Sequence, residues 1–217
     1  GKPVTLSQPL GTYVMENILF KISFPAEFHA QTAVECALTL HLQVKDRIEQ
    51  IERIEISTQE SAVRIISKSG PLYNPADRDH CLQYMVAIPL LHGRLTADDY
   101  EDVVAADPRI DALRETMHVS EEPRYSHDYL DANKRSITNA VQVFFDDGSC
   151  TEKVEVEYPI GHRRRRDEGI PLLERKFRDS LSSRFPEERA ESLATVCLDP
   201  TELDAMSVPE FLERLGN

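Results

Sequence analysis

Lys21-Ile-Ser-Phe-Pro-Ala-Glu-Phe-His-Ala-Gln-Thr32 is the stretch that leads the chain from an extended run into a helix. Apolar and polar residues alternate from 20 to 24, which predicts a half-buried strand that ends at Pro25. From 30 to 42 the apolar residues recur at spacings of three and four, which predicts a helix with one packed face. His29 is therefore expected in or just before the first turn of this helix.

The composition excludes several classes of protein. With 217 residues, of which 41% are hydrophobic, the chain can bury one good core and form one or two domains. The formal net charge of -13 repels phosphate backbones, so we expect no nucleic-acid partner. No apolar run approaches the roughly 20 residues of a membrane-spanning helix, so we expect no membrane partner. An anionic substrate would need a local basic site.

Cysteine and histidine spacing argues against a metal or cluster cofactor. The cysteines include no Cys-x-x-Cys pair, and no three of them lie close enough in sequence to suggest a cluster-dependent, aconitase-like enzyme. The chain also lacks a Gly-x-Ser-x-Gly elbow, which disfavours a serine hydrolase. We therefore expect neither a metal site, an iron-sulfur cofactor nor a disulfide framework. The cysteines are Cys36, Cys81, Cys150 and Cys197.

Strands and helices are predicted to intermix up to about residue 160. The clearest local pattern is an antiparallel hairpin of 137–145 with 151–158, because both segments alternate and Asp146-Asp-Gly148 supplies turn residues between them. The other predicted elements are a strand at 51–58, a short helix at 61–67, a helix at 77–91 that Pro89 should kink or end, and helix starts at Thr96 and Asp107.

Beyond residue 161 the pattern is typical of helices only. A mixed unit followed by helices predicts an α+β fold with a helical tail. We divide the chain into a linker or cut edge at 1–10, an α+β unit at 11–160 and a helical segment at 161–217. If the tail packs against something outside this sequence, Leu173, Phe177 and Leu181 should form an exposed apolar face.

Three motifs carry a resemblance to a known family. They are Phe24-Pro-Ala-Glu-Phe-His29, Asp77-Arg-Asp-His-Cys-Leu-Gln-Tyr84 and Tyr158-Pro-Ile-Gly-His162. With them the chain, from about residue 11 to 215, resembles the C-terminal half of the MmgE/PrpD family. Other members tend to have a Lys-Phe-Ser-type segment in place of His80-Cys-Leu82, so the resemblance is to the branch that dehydrates 2-methylcitrate.

The resemblance implies a fold of two parts. Members of the family have a large all-helical domain and a small α+β lid, and the helical domain is completed by the C-terminus. Residues 11 to about 160 would then be the lid. The helices after Gly161 would belong to a helical domain whose larger, N-terminal part lies outside this sequence. The implied partners are that missing domain, a small tricarboxylate substrate and, at full length, a second copy in a homodimer.

The resemblance also implies an activity. A hydro-lyase of this branch converts 2-methylcitrate to 2-methyl-cis-aconitate in the methylcitrate cycle of propionate catabolism, without a cofactor. It would work in the cytoplasm of a bacterium or the mitochondrial matrix of a eukaryote. Two alternatives stay open: a related member that acts on citrate or cis-aconitate, and a non-catalytic α+β module that binds an anion.

Dehydration needs an acid, a base and cations or donors for three carboxylates. The resemblance implies that His29 is the acid or base, at a helix start that favours a bound carboxylate. It places Tyr73 near a family active-site tyrosine, where its hydroxyl could donate to the substrate. Without the resemblance, His29 is more simply a helix-capping residue and Tyr73 a turn residue that packs on the surface.

Three further residues are candidates for substrate binding. Lys21 could supply charge at the mouth of the site, although alternation alone explains a solvated strand lysine. Arg78 could clamp a carboxylate, or form an ion pair with a neighbouring acid. His162 could approach the site from the loop before Arg163–Arg166, a run that more simply forms a solvated, paired surface.

Overall fold

A four-stranded mixed sheet lies at the centre of the first part of the chain. The computed structural model describes residues 18–216, so the predicted linker at 1–10 lies outside the described residues. In the sheet order β2-β1-β3-β4, the pair β1 and β2 is parallel and the other pairs are antiparallel. The strands are β1 (Ile51–Thr58), β2 (Met117–Glu121), β3 (Asn139–Phe145) and β4 (Val154–Val156).

Helices lie between most of the strands along the chain and continue after β4, which confirms the α+β class. The first helix begins in a short 3₁₀ turn, Phe28–Ala30, and packs on both the fourth helix and β3. None of the described helices is long and apolar enough to span a membrane. The α-helices are α1 (Gln31–Val44), α2 (Glu60–Ile65), α3 (Pro75–Arg78), α4 (Leu82–His92), α5 (Asp102–Ala105), α6 (Pro108–Glu115), α7 (Pro123–Leu130), α8 (Arg166–Ser182), α9 (Glu187–Leu198), α10 (Pro200–Ala205) and α11 (Val208–Leu215).

The predicted hairpin and the predicted strand at 51–58 are both confirmed. Ile54, Ile56 and Thr58 of β1 share one face and are fully buried, as the period of two requires. The hairpin strands pair with Val141 opposite Val154, but β4 has three residues instead of the eight predicted. β2 was not predicted, because a five-residue strand with polar positions carries little pattern of its own.

The predicted strand at 20–24 is wrong. Ile22 and Phe24 are buried and alternate with exposed neighbours, as expected, yet the segment pairs with no described strand. The amide of Phe20 donates to the carbonyl oxygen of Gly161 at 3.1 Å, which attaches the segment to the loop after β4. The alternation reports burial of one side of an extended segment, and sheet pairing needs a partner that the local pattern does not specify.

The predicted helix at 77–91 is two helices. The chain leaves α3 after Arg78 and passes through Cys81 in an extended conformation, with φ -119° and ψ 108°, before α4 begins. Pro89 does not end α4, which continues to His92 and stops at Gly93, where φ is +66°. The residues from Leu82 to Leu90 are buried, so packing stabilises the helix although Pro89 donates no hydrogen bond.

The helix starts predicted at Thr96 and Asp107 are confirmed. Thr96 and Asp99 form the reciprocal bonds of a capping box, and Asp107 accepts from the backbone nitrogen of Arg109 before Pro108 opens α6. The element after Thr96 is a 3₁₀ turn, Ala97–Tyr100, followed by the short α5.

The chain divides into two compact units, one ending at Arg165 and the other starting at Arg166. The second unit is helical, and α8 and α9 pack around a small core. Leu181 is buried in that core and Phe177 packs against it, so the prediction of an exposed apolar face is wrong for these two of its three residues, while Leu173 is half-buried outside the core. The reason is that α9 folds back on α8 and covers Phe177 and Leu181. Assignment of the first unit as a lid stays a prediction.

Candidate active site

His29 lies in the 3₁₀ turn that leads into α1, and its position there follows from local chemistry. The extended segment runs up to Glu27, whose carboxylate caps the turn by accepting from the backbone nitrogen of His29 at 2.7 Å. The residue is 8% exposed, so most of the ring is withdrawn from water. The predicted placement of His29 at a helix start is confirmed.

Both ring nitrogens of His29 have partners. Nδ1 lies 2.9 Å from Oε1 of Glu27, two residues earlier in the chain. Nε2 lies 3.3 Å from the hydroxyl of Tyr129, which comes from α7. The ring of Phe28 meets the histidine edge to face, with centroids 5.3 Å apart. The imidazole of His29 therefore lies between a carboxylate and a phenol.

The carboxyl of Glu27 is ionised more readily than usual. Burial opposes its ionisation, but the hydrogen bonds and the charge of the His29 ring outweigh this effect, and His80 adds a weaker attraction, so the pKa of Glu27 falls below its ordinary value. The group that faces Nδ1 is therefore a carboxylate at neutral pH.

Asn139, at the start of β3, fixes the backbone of the turn that carries His29. It is fully buried, and its Nδ2 donates to the carbonyl oxygen of His29 at 2.8 Å and to Oγ1 of Thr32 at 2.7 Å. Thr32 in turn donates to the carbonyl oxygen of Ile137 at 2.5 Å. The turn that carries His29 is thus attached to the sheet as well as to α1.

Tyr129 is held by the anchoring of α7. Tyr125, one turn earlier, is buried and donates to Oε2 of Glu155 on β4 at 2.5 Å. The hydroxyl of Ser126 accepts from the backbone nitrogen of Glu60 at 2.8 Å, which attaches α7 to α2. Neither Tyr129 nor Glu27 was predicted as a site residue. The amphipathic segment after Pro123 was the one signal for α7 that the sequence offered.

Tyr73 lies in the loop before α3, and its side chain is 77% exposed. Its backbone nitrogen donates to Oδ2 of Asp77 at 3.1 Å, and within the described part of the chain its hydroxyl has no hydrogen-bond partner. The structure does not join Tyr73 to His29 by any contact. Lys21 lies on the exposed side of the extended segment at 20–24. Their roles in substrate binding or catalysis stay predictions.

Arg78 is buried, and its guanidinium contacts other residues of the first unit. It is 5% exposed, and its guanidinium donates to the carbonyl oxygen of Tyr100 at 2.6 Å and pairs with Asp102 at 2.7 Å. The ion pair that the sequence suggested as an alternative therefore exists, with Asp102 as the partner instead of a closer neighbour. A clamp on substrate would require the guanidinium to leave these partners.

His162 is buried in the loop that follows β4. Its ring stacks on Tyr158 with centroids 4.5 Å apart, and its Nδ1 accepts from the backbone nitrogen of Arg164 at 3.2 Å. Arg165 donates to Glu35 of α1 at 2.8 Å. These contacts give the loop a fixed conformation, and a substrate role for His162 stays a prediction.

The arrangement around His29 is suited to proton transfer. An imidazole can give or take a proton near neutral pH, and a carboxylate on one ring nitrogen orients the other towards a reacting group. Among residues 18–216, no three His, Cys, Asp or Glu side chains converge in a way that could hold a metal ion.

Comparison with known proteins assigns the family. The model of the MmgE/PrpD C-terminal domain matches residues 24–200. The 2-methylcitrate dehydratase of Cupriavidus necator is 57% identical over 216 residues, which are 98% of this chain and 45% of that protein. The 2-methylcitrate dehydratase of Escherichia coli K12 is 55% identical, with the same coverage of both chains. The mitochondrial 2-methylcitrate dehydratase of Yarrowia lipolytica is 53% identical over 98% of this chain and 41% of its own length.

The chain therefore spans less than half the length of the curated relatives that it matches. The family model covers most of the chain, including the histidine turn and the loop at 158–165. On these grounds the chain belongs to the MmgE/PrpD family, within which it matches the C-terminal domain.

Proposed function

We propose that this chain is the C-terminal part of a hydro-lyase that converts 2-methylcitrate to 2-methyl-cis-aconitate and water in propionate catabolism. The observation that carries the proposal is the 57% identity, over 98% of the chain, to a relative named 2-methylcitrate dehydratase. The buried His29 between Glu27 and Tyr129 supports it, because the reaction needs a group that exchanges a proton at neutral pH.

His29 is the acid or the base of this reaction. As the base it would take the proton from a carbon next to a carboxylate, and the electrons of that bond would form the double bond as the hydroxyl leaves. As the acid it would protonate the leaving hydroxyl, which departs as water. In both roles Glu27 stabilises the positive charge that the ring carries in its protonated form.

The tricarboxylate would be bound by residues of the α+β unit. Tyr73 is exposed and could donate to a carboxylate of a substrate that reaches it, Lys21 is the candidate cation, and the buried His162 is a third candidate for binding. Arg78 is the weakest of these proposals, since its guanidinium already donates to Tyr100 and Asp102.

The site would be completed by the part of the protein that lies outside this sequence. Relatives are more than twice as long as the chain, so the proposed partner is an N-terminal helical domain, and the full-length protein is proposed to be a homodimer. One relative is named mitochondrial, so the proposed location is the matrix in a eukaryote and the cytoplasm in a bacterium.

The test measures dehydration of 2-methylcitrate by the ultraviolet absorbance of the new conjugated double bond. The chain is assayed alone, with an added N-terminal half from a relative, and in both cases with the variant His29→Gln. We expect turnover only in the mixture and at least about a hundredfold less with the variant. Turnover by the chain alone would contradict a site shared between the two halves.

Substrate choice separates the remaining alternatives. Faster turnover of citrate, or reaction of cis-aconitate, would assign the chain to a related member of the family. Binding of a tricarboxylate without turnover in the mixture would favour a non-catalytic anion-binding module. Near-normal activity of His29→Gln would remove His29 from the mechanism.

A further inference from the structure

The two ring nitrogens of His29 face partners of different chemistry. An ionised carboxylate can only accept hydrogen bonds, so the 2.9 Å contact between Nδ1 and Glu27 requires a proton on Nδ1. The same carboxylate also accepts from the backbone nitrogen of His29 at 2.7 Å, which fixes it relative to the ring. The neutral imidazole then has its lone pair on Nε2.

Nε2 faces a group that can donate to it. The hydroxyl of Tyr129 lies 3.3 Å away, and the two rings are tilted by 47° with centroids 5.7 Å apart. α7 is anchored at Tyr125 and Ser126, so the phenol is presented from a fixed helix. The position of the ring is therefore set from both nitrogens at once.

We propose that Glu27 and Tyr129 are positioning residues that hold His29 as the Nδ1-protonated tautomer and make Nε2 the nitrogen that exchanges protons. The tautomer is a property of this chain alone, whereas its catalytic use rests on the proposed function. In that use Nε2 takes or gives the proton, Nδ1 keeps its own, and the imidazolium charge faces Glu27. The hydroxyl of Tyr129 donates a hydrogen bond to Nε2 until a substrate atom takes its place.

Two other histidines provide internal references for the tautomer of His29. Nδ1 of His41 lies 2.9 Å from the carbonyl oxygen of Leu90, which can only accept, so His41 is protonated on Nδ1. Nδ1 of His162 accepts from the backbone nitrogen of Arg164 at 3.2 Å, so a neutral His162 is protonated on Nε2. The first unit therefore contains one reference histidine for each tautomer.

The experiment records long-range proton-nitrogen correlation spectra of the 217-residue chain at a pH where the imidazoles are neutral. We expect the pattern of His29 to match that of His41. A pattern that matches His162 would overturn the proposal. Because no activity is needed, this result does not depend on whether the chain is part of a dehydratase.

Variants separate the two positioning residues. In Glu27→Gln the amide can donate as well as accept, so we expect a fraction of His29 to become protonated on Nε2. In Tyr129→Phe the tautomer should persist while the Nε2 resonance moves. Glu60→Gln is the matched control, because Glu60 is exposed and pairs with Arg64. An unchanged His29 spectrum in both Glu27→Gln and Tyr129→Phe would contradict the positioning roles.

Signals of His41 and His162 that stay in place show that a variant has kept its fold. In the enzyme assembled with its N-terminal half, Glu27→Gln should lower kcat at least about tenfold with little change in KM, and Glu27→Asp should restore part of the loss. A confirmed tautomer without any dehydration would leave this inference intact and remove the proposed function. Dehydration by an enzyme in which neutral His29 is protonated on Nε2 would leave the proposed function intact and remove this inference.

Discussion

Glu35 and Arg165 form an ion pair across 130 residues of sequence, with Nη1 of Arg165 at 2.8 Å from Oε2 of Glu35. The other carboxylate oxygen of Glu35 accepts from the backbone nitrogen of Ile160 at 2.7 Å, and Arg165 also donates to the carbonyl oxygen of Tyr158. One glutamate on α1 therefore fixes the loop that follows β4. The pair is half-buried, so solvent screens it less than an exposed one.

Replacing Glu35 by alanine should destabilise the first unit by about 2 kcal/mol, because the Ile160 amide and the Arg165 guanidinium both lose an acceptor. All seven tyrosines precede residue 166 and the chain has no tryptophan, so tyrosine fluorescence during urea unfolding reports on this unit. Arg64→Ala, which breaks an exposed pair with Glu60, is the control and should cost less than about 0.5 kcal/mol. Equal effects would contradict the role of Glu35.

Gly161 is a position where the structure has no room for a side chain. A Cβ atom there would lie 1.7 Å from the carbonyl oxygen of Phe20, which is backbone and cannot rotate away. Gly161→Ala should therefore destabilise the first unit by about 2–3 kcal/mol in urea unfolding. Gly148→Ala tests the strain of a positive φ alone, at +80° with nothing within 4 Å, and should cost about 1 kcal/mol. A smaller loss for Gly161→Ala than for Gly148→Ala would refute the close approach.

Glu27 makes the stability of the first unit depend on pH in the acid range. Its pKa in the folded chain is below the ordinary 4.5, so the stabilisation is fully present above pH 4.5 and is lost as the pH falls through the folded value. The difference in unfolding free energy between the wild-type chain and Glu27→Gln should shrink as the pH is lowered from 6 through this range. A difference that grows towards acid pH would have the wrong sign for a carboxylate paired with His29.

Substitutions at Arg78 and at its partner Asp102 test whether Arg78 has a structural role or binds substrate. Arg78→Gln should cost about 3 kcal/mol in urea unfolding, since it leaves the carbonyl oxygen of Tyr100 without its donor in a buried site. Asp102→Asn should cost less than about 1 kcal/mol, because the Asp102 side chain is 84% exposed. If Arg78→Gln left stability unchanged but weakened tricarboxylate binding, the clamp would be supported instead.

The sequence predicted those elements whose cause is local. The hairpin was predictable because its turn residues and alternating strands lie within about twenty residues of each other. The capping box at Thr96 and the placement of His29 at a helix start were predictable for the same reason. The family was also accessible, because its three motifs are continuous segments of sequence.

Sequence-based predictions were wrong where contacts with other segments decide the structure. The segment at 20–24 has the period of a strand but pairs with none of the strands formed by residues 18–216, and the helix at 77–91 breaks at Cys81, where the amide of Leu82 donates to the carbonyl oxygen of Ile66. Phe177 and Leu181 were expected on an exposed face and are covered by α9. In each case contacts with another segment of the chain decided what the local pattern left open.

By itself, the sequence determined the fold class, most of the secondary structure, the family and the placement of His29 at a helix start. Only the tertiary structure decided which groups face that histidine, because Tyr129 and Asn139 are more than 95 residues away from it and reach it through α7 and the start of β3. Helix and strand periodicity arises from neighbouring residues, whereas a hydrogen bond across such a separation depends on sheet register and packing. The partners of Arg78 were decided in the same way, by where the 3₁₀ turn after Thr96 packs.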